Sequence, residues 1–397
     1  PRFTRKESSA ASDVYKGQFS IRAGILPQLG DAFQLSGQQL GFINSMWFLG
    51  FPISMVLGGL FYHQLGPKRI MQFAFITHTL GIILTIFSGG YTGLLISTLM
   101  IGIGNGCTEA ACNPMIADAY EGKKMNTLLN RFHMWFPGGI VVGSLVSKFM
   151  TDLDLGWQAQ IWIIMIPTLI YFYLFYGQTF PKPKLEATTS VGENLKAMAT
   201  PLYIFMLVCM AFTAISEFGP QQWTTLILSS SGAQPMVILA LITGLMAVGR
   251  YFGGDMVHKY DQTGVLLGSA VLTAIGIFLF STQTGGMTYV AAVFFALGVC
   301  YFWPNMIGFV AEKIPLSGAL GMSIIGAMGM FSTSIFQPII GGWIDSSTTQ
   351  MEAEGLSGPA LELASGQATL TTMISFPAIL IVLFTVLLFW QKSLKTA

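Results

Sequence analysis

Asn105, Glu109 and Asn113 fall at i, i+4 and i+8 of an otherwise apolar run, so one helical face carries a carboxylate flanked by two amides. An ionisable group inside a membrane costs about 2.5–3.5 kcal/mol on insertion scales and must be paired, hydrated or functional. Low-dielectric surroundings favour a neutral carboxylic acid, and a nearby cation favours the charged form. Glu109 therefore reads as a proton-exchanging group or as a structural hydrogen-bonded acid. Arg22 is the natural counter-charge. It can neutralise Glu109, bind an anionic group through its bidentate fork, or serve packing alone.

A second set lies in Glu217-Phe218-Gly219-Pro220-Gln221-Gln222-Trp223. Gln221 stands one turn from Glu217, and Gly219-Pro220 predicts a break in the helix, as in discontinuous helices that offer backbone groups to solutes. Carboxylate, amide and indole together suit a sugar: hydroxyls take directed hydrogen bonds, and a ring stacks on the apolar sugar face. Trp303 with Asn305, and Trp47 with Asn44, extend the same chemistry. The plainer alternative is a kinked helix with tryptophan at the membrane interface. His133, three residues after Asn130, is a further candidate ligand, although a lone membrane histidine is more often packed and hydrogen-bonded; His78 reads that way. Arg131 and Arg250, with Asp255 as a candidate partner, read as gating groups that bind carbonyls or acids at the inner surface.

The elements that must position these residues follow from composition. Of 397 residues, 53% are hydrophobic and 9% are charged, against roughly 25% charged in a soluble domain. The apolar residues gather in runs near the roughly 20 residues that cross a hydrocarbon core as helix. Abundant glycine, 45 residues, suits closely packed transmembrane helices. Twelve spans are expected, at 14–34, 38–62, 69–89, 92–118, 126–150, 157–177, 200–228, 235–257, 264–283, 287–311, 318–344 and 370–390. With both termini cytoplasmic, the inner side receives Lys68, Arg69, Lys123, Lys124, Lys182, Lys184, Lys196, Lys259, Lys313 and the basic tails, and the outer side only Lys148. The longest outer loop is expected at 346–367. The first span holds Asp13, Lys16, Gln18 and Arg22, so either neighbouring helices sheathe it beside an aqueous cavity, or the span is incomplete. No cleaved signal peptide is expected.

The chain repeats itself. Gly58-Gly59-Leu60-Phe61-Tyr62-His63 is answered by Gly253-Gly254-Asp255-Met256-Val257-His258, Asn113-Pro114-Met115 by Pro304-Asn305-Met306, and Phe136-Pro137-Gly138-Gly139 by Phe336-Gln337-Pro338 with Gly341-Gly342. The expected fold is an all-α membrane protein of two pseudo-symmetric six-helix bundles, 1–177 and 200–397, joined by a cytoplasmic linker, 178–199. Such repeats work by rocking, with the solute held near the bilayer midplane.

These residues resemble the major facilitator superfamily over nearly the whole chain. Gly59 to Arg69 is similar to its signature loop, with His63 where an aspartate is usual. Glu109-Ala110-Ala111-Cys112-Asn113-Pro114 and Gly249-Arg250-Tyr251-Phe252-Gly253 resemble the fucose and glucose/galactose permease group, whose members are proton-coupled sugar symporters. The resemblance implies a proton site at Glu109. The aspartate of that group's first span has no counterpart here.

Other classes fit poorly. The four histidines are scattered, no H-x-x-x-H or C-x-x-C spacing occurs, and no P-loop is present, so neither an enzyme, a metal site nor direct ATP drive is expected. Cys107, Cys112, Cys209 and Cys300 read as packing residues. A net charge of +1 argues against nucleic acid. The expectation is a monomeric carrier in a bacterial-type inner membrane. It takes up a small hydrophilic, sugar-like solute by proton-coupled alternating access and needs no cofactor beyond the proton. The rivals are an exporter of amphipathic compounds or lipids and a non-transporting sensor or accessory protein.

Overall fold

The computed structural model describes residues 7–120, 122–178, 180 and 191–396; within them, the side chains of 7–16, 117–118, 122–135, 191, 251–260, 319 and 392–396 lie outside the description. The chain divides into two compact units, Pro1–Ala187 and Thr188–Ala397. The first holds α1 (Glu7–Phe33), α2 (Gly37–Ile86), α3 (Tyr91–Ala119), α4 (Gly122–Asp152) and α5 (Trp157–Phe175). The second holds α6 (Val191–Met198), α7 (Pro201–Gln222), α8 (Thr224–Ile227), α9 (Pro235–Tyr260), α10 (Gln262–Thr282), α11 (Gly286–Val299), α12 (Phe302–Lys313), α13 (Gly318–Ala353), α14 (Gly358–Met373) and α15 (Ser375–Thr396).

Eight helical stretches among the described residues are long and apolar enough to cross a membrane. The 50-residue α2 supplies two spans, because Gly66 at φ 73° and ψ 158° turns the chain between them. The extended ψ suits a residue that precedes proline, and the positive φ suits glycine. Adding α1, α4 and α9, and joining α7 to α8, α11 to α12 and α14 to α15, gives six spans in each unit. The units share a packing rule. The first span lies on the fifth, α1 on α4 and α7 on α13, and the second on the fourth, α2 on α3 and α9 on α11.

Where helices close up, a missing side chain allows it. A Cβ on Gly102 would stand 2.5 Å from the Trp47 carbonyl oxygen, one on Gly50 2.7 Å from that of Leu99, and one on Gly106 2.1 Å from that of Phe51. These three positions let α2 and α3 touch backbone to backbone, the packing that hydrocarbon favours because apolar burial drives nothing there. A Cβ on Gly143 of α4 would likewise stand 2.7 Å from the Gly17 carbonyl oxygen of α1. The polar first span is thereby sheathed: Gln18 and Ser20 are fully buried and Arg22 is 6% exposed.

Two expectations are corrected. The segment 346–367 is mostly helix, because α13 runs on to Ala353 and α14 starts at Gly358. Good helix formers, Gln350 to Ala353 and Ala360 to Ala364, outweigh the polarity that suggested a loop. The turn between them is a Schellman stop, with Gly355 at φ 89° and the Leu356 and Gly355 N–H groups donating to the Met351 and Glu352 carbonyls. The helix in the seventh span also passes through Gly219-Pro220 and breaks at Trp223 instead (φ −100°, ψ 8°). Proline removes only its own N–H, so the turn that follows it still forms. The linker region contains α6, while 181–190 lie outside the described residues.

Gly106→Ala should drive the α2–α3 backbones apart and lower stability by about 1–3 kcal/mol or more. Gly59→Ala meets nothing within 4 Å and should be near neutral. Thermal unfolding of both variants in detergent checks the contrast.

Candidate functional site

Among the described residues of the first unit, the expected site residues fall into three small polar assemblies. His78, fully buried, donates from Nε2 to Asn105 Oδ1 at 2.7 Å and accepts at Nδ1 from the Tyr171 hydroxyl at 3.1 Å. This joins α2, α3 and α5, and Gly104 makes room for it, since a Cβ there would stand 2.4 Å from the imidazole. His78 is thus a packed, hydrogen-bonded residue. Asn105, expected as a solute ligand, has its carbonyl oxygen committed to that network. The face predicted for Asn105, Glu109 and Asn113 divides accordingly. Asn113 Nδ2 donates to Glu109 Oε2 at 2.7 Å, and the 7% exposed Glu109 side chain sits one turn beyond the His78 network.

Arg22 forms the third assembly, and it does not neutralise Glu109. Its Nη2 donates to Asn44 Oδ1 at 2.7 Å, and its guanidinium carbon lies 5.8 Å from the centre of the Trp47 ring. Trp47 is fixed by edge contacts to Phe19 and Phe48, which places it in the core rather than at an interface. No ion pair of Arg22 with a carboxylate occurs among the described residues. Asn44 supplies a charge-assisted hydrogen bond of about 1.5–3 kcal/mol, and the indole adds about 0.5–2 kcal/mol; both hold the side chain without cancelling its charge. Asn44 Nδ2 and Trp47 Nε1, buried beside it, have no hydrogen-bond partner among the described residues. The assembly is rich in donors and lacks an anion.

The second unit is organised by a helix break. Pro304 has no N–H, so the Cys300 carbonyl one turn earlier loses its helical partner, and the helix loosens to a turn at Cys300–Tyr301, between α11 and α12, with Tyr301 at φ −102° and ψ −1° still in the helical region. Arg250 Nε fills the gap by donating to that carbonyl at 3.0 Å. Its Nη2 meets Glu217 Oε1 at 3.4 Å, and the Tyr301 hydroxyl donates to the Gly249 carbonyl at 3.0 Å. Arg250 was expected to bind carbonyls or acids at the inner surface, with Asp255 as a candidate partner; among the described residues it binds the Cys300 carbonyl and Glu217, which lies within α7 and is 1% exposed. Gln221 Nε2 points to the Met246 sulfur at 3.7 Å. Trp223 is fully buried at the break in the seventh span. Trp303 lies edge-on to Phe218 at 6.1 Å, and Asn305 is 6% exposed.

The side chains of His133, Arg131 and Asp255 lie outside the described residues. Sequence reasoning missed Gln222 and Gln337, both fully buried. The signal was present in each case, an amide inside an apolar run, but Gln337 was read only as part of a repeat and Gln222 was overshadowed by Gln221. The four cysteines are free and buried. Among the described residues no group of three His, Cys, Asp or Glu side chains could hold a metal. A groove of about 280 Å3, lined by Gly17, Ile21, Val142, Val146, Ile163 and Ile166 among others, runs between α1, α4 and α5.

The spans thus bury an ion pair and several amides that lack a partner among the described residues. The chain matches the Major Facilitator Superfamily model over residues 17–336 and belongs to that superfamily of transporters; it is a multi-pass membrane carrier of small molecules and not an enzyme. It is similar to the putative niacin/nicotinamide transporter NiaP of Bacillus subtilis (strain 168), 23% identical over 340 residues that cover 81% of this chain and 83% of the relative. It is also similar to the hexuronate transporter of the same organism, 23% identical over 385 residues covering 87% of each. The crystal structure of the nucleoside transporter NupG superposes with a TM-score of 0.74 at 14% identity, covering 96% of this chain and 98% of that one.

Arg250→Met leaves Glu217 buried without its cation and should cost about 3–5 kcal/mol, while Arg250→Met with Glu217→Gln should recover much of the loss. A double-mutant cycle on thermal or denaturant unfolding reads the coupling.

Proposed function

We propose that this protein is a proton-coupled secondary transporter of a small hydrophilic organic acid, in which Arg22 receives the carboxylate and Glu109 carries the coupling proton. One observation carries the reading: a guanidinium 6% exposed within a span, held by an amide and an indole and unaccompanied by a carboxylate among the described residues. Retaining a charge in that setting is costly unless an anion joins it during the working cycle. The Asn44 Nδ2 and Trp47 Nε1 donors, without a partner among the described residues, point to the same kind of guest. The relatives support it chemically, since a hexuronate carries a carboxylate on a hydroxylated ring and niacin, named for the other relative beside the neutral amide nicotinamide, carries one on a flat ring.

The proton part rests on Glu109 and on the resemblance of its motif to the fucose permease group. A carboxylic acid that holds Asn113 in one turn of helix can release that amide when it changes protonation state, and proton and solute occupancy are then linked. Alternating access supplies the stroke. The sugar-like character first expected of the solute is kept as one of the two ring types. Export of amphipathic compounds has a single observation in its favour, the apolar groove between α1, α4 and α5.

In proteoliposomes loaded with a pH-sensitive dye, external glucuronate or nicotinate should acidify the lumen. Arg22→Gln should weaken acid uptake by about tenfold or more while Arg22→Lys retains part of it. Glu109→Gln should abolish acidification yet permit solute exchange. Uptake of acids unchanged in Arg22→Gln, or transport of lipophilic amines alone, would falsify the assignment.

A further inference from the structure

The groove between α1, α4 and α5 has a property that apolar packing does not explain. Its walls are isoleucine, valine, proline and glycine, and Gln18 is the one polar side chain among the described residues that line it. Gln18 is fully buried, and neither its amide nitrogen nor its carbonyl oxygen has a hydrogen-bond partner among the described residues. Both atoms have given up their bonds to water, which a native fold does not do without a reason. The helix cannot turn the amide away. A Cβ on Gly143 of α4 would stand 2.7 Å from the Gly17 carbonyl oxygen, so the α1 backbone is pinned next to Gln18 and the side chain is held at the groove.

Position and size say what can answer it. Val142 and Ile166 line the groove and are 59% and 57% exposed, and their neighbours Leu145, Leu169 and Ile170 are exposed as well, so the mouth opens on an apolar face that lipid covers. The lining residues stand about 9–20 Å from the Asp152 end of α4 and about 9–15 Å from the Trp157 start of α5 at 1.5 Å per residue. That level is well inside a hydrocarbon core of roughly 30 Å, out of reach of a phospholipid head at the surface. Along α4 the groove runs from Gly139 to Val146, about 10 Å, so its volume of about 280 Å3 leaves it about 5 Å wide. A helix with its side chains is about 10–12 Å across and does not fit. An alkyl chain does.

We propose that this groove binds a long-chain lipophile whose uncharged head carries a hydrogen-bond donor and an acceptor side by side, as a fatty primary amide or an undissociated fatty acid does, with the head paired to the Gln18 amide and the chain lying along α4 and α5. A carboxamide presents N–H and C=O in one plane, and a neutral carboxyl presents O–H and C=O in the same arrangement, so two parallel hydrogen bonds answer both Gln18 atoms. An ester offers only acceptors, and a plain hydrocarbon offers nothing. No charged side chain lines the groove among the described residues, so an ionic head finds no partner in it. The site lies within the first unit and does not depend on the carboxylate reading of Arg22.

The test is photo-crosslinking of purified protein in detergent with a hexadecanamide that carries a diazirine within its chain, the adducts being mapped by peptide mass spectrometry. Wild type should be labelled within 142–146 or 163–167. Oleamide and oleic acid should each displace the probe at a concentration lower than methyl oleate or 1-octadecene by about tenfold or more. If only one of the two competes, the site stands and its head is assigned to an amide or to an acid. Gln18→Leu should cut labelling by about tenfold, and Val142→Trp, which fills the mouth, should cut it as far with Gln18 in place. Without probe, Gln18→Leu should melt no lower than wild type, because the substitution removes a buried amide that has no answer in the protein. Four results would overturn the site: 1-octadecene competing like oleamide, because any hydrocarbon then fills the groove; Gln18→Leu labelled like wild type; Gln18→Leu melting lower, because the amide is then structural; or wild type dimeric and Gln18→Leu monomeric in the same detergent, because a second copy then answers the amide.

Discussion

A peptide carbonyl without a partner costs several kcal/mol in hydrocarbon, so every interruption of a spanning helix has to be answered locally. In the second unit the interruption comes from Pro304, and the answer is Arg250, whose Nε takes the Cys300 carbonyl at 3.0 Å. The repair sets the place of much else. A guanidinium brought in for a carbonyl has further donors to satisfy, and Glu217 is held against one of them. Tyr301 returns a hydrogen bond to Gly249, and a Cβ on Gly249 would stand 2.7 Å from the Cys300 sulfur. The α9–α11 contact, the depth of Glu217 and the presentation of Trp303 and Asn305 on α12 all depend on this one repaired break.

The first unit solves a related difficulty without breaking a helix. Its α2 and α3 lie backbone to backbone through Gly50, Gly102 and Gly106, and a network centred on His78 ties α5 to both. That rigid frame carries the cost of the polar α1. Gln18 and Arg22 can sit inside a membrane because α4 crosses α1 at Gly143 with no side chain in the way, leaving Arg22 to be steadied by Asn44 and Trp47 rather than by an acid.

Fold was legible in the sequence to a high degree, because a run of apolar residues bounded by charge has one stable form in a bilayer and because the two halves repeat each other's punctuation. The errors have physical causes. A polar segment reads as a loop until its helix propensity is weighed, as at α13 and α14. A proline is seen at its own position, whereas its structural effect falls on the carbonyl a turn away or on a later weak point, as at Trp223. Individual polar residues were found readily; their partners were not. Arg22 and Glu109 looked complementary by charge, and Arg250 was matched in sequence with nearby Asp255 rather than with Glu217 on another helix, but pairing is decided by which helix faces meet. The amides Gln222 and Gln337 were visible as letters, while their burial and their lack of partners among the described residues needed the fold.

The turn at 354–357 has a practical side. The 36-residue α13 is about 54 Å long at 1.5 Å per residue, well beyond the roughly 30 Å of a bilayer's hydrocarbon, and α14 folds back along it through the Thr348–Ser365 hydrogen bond and is moored by Ser230 to Glu362. Proteins of this kind offer electron microscopy little to align on, since almost all their mass is buried in a micelle or nanodisc. A helical hairpin whose first arm is longer than hydrocarbon needs, closed by a glycine turn at Gly355, is a ready grafting point for a rigid fusion partner or a fiducial-binding epitope by which images of a small carrier can be oriented.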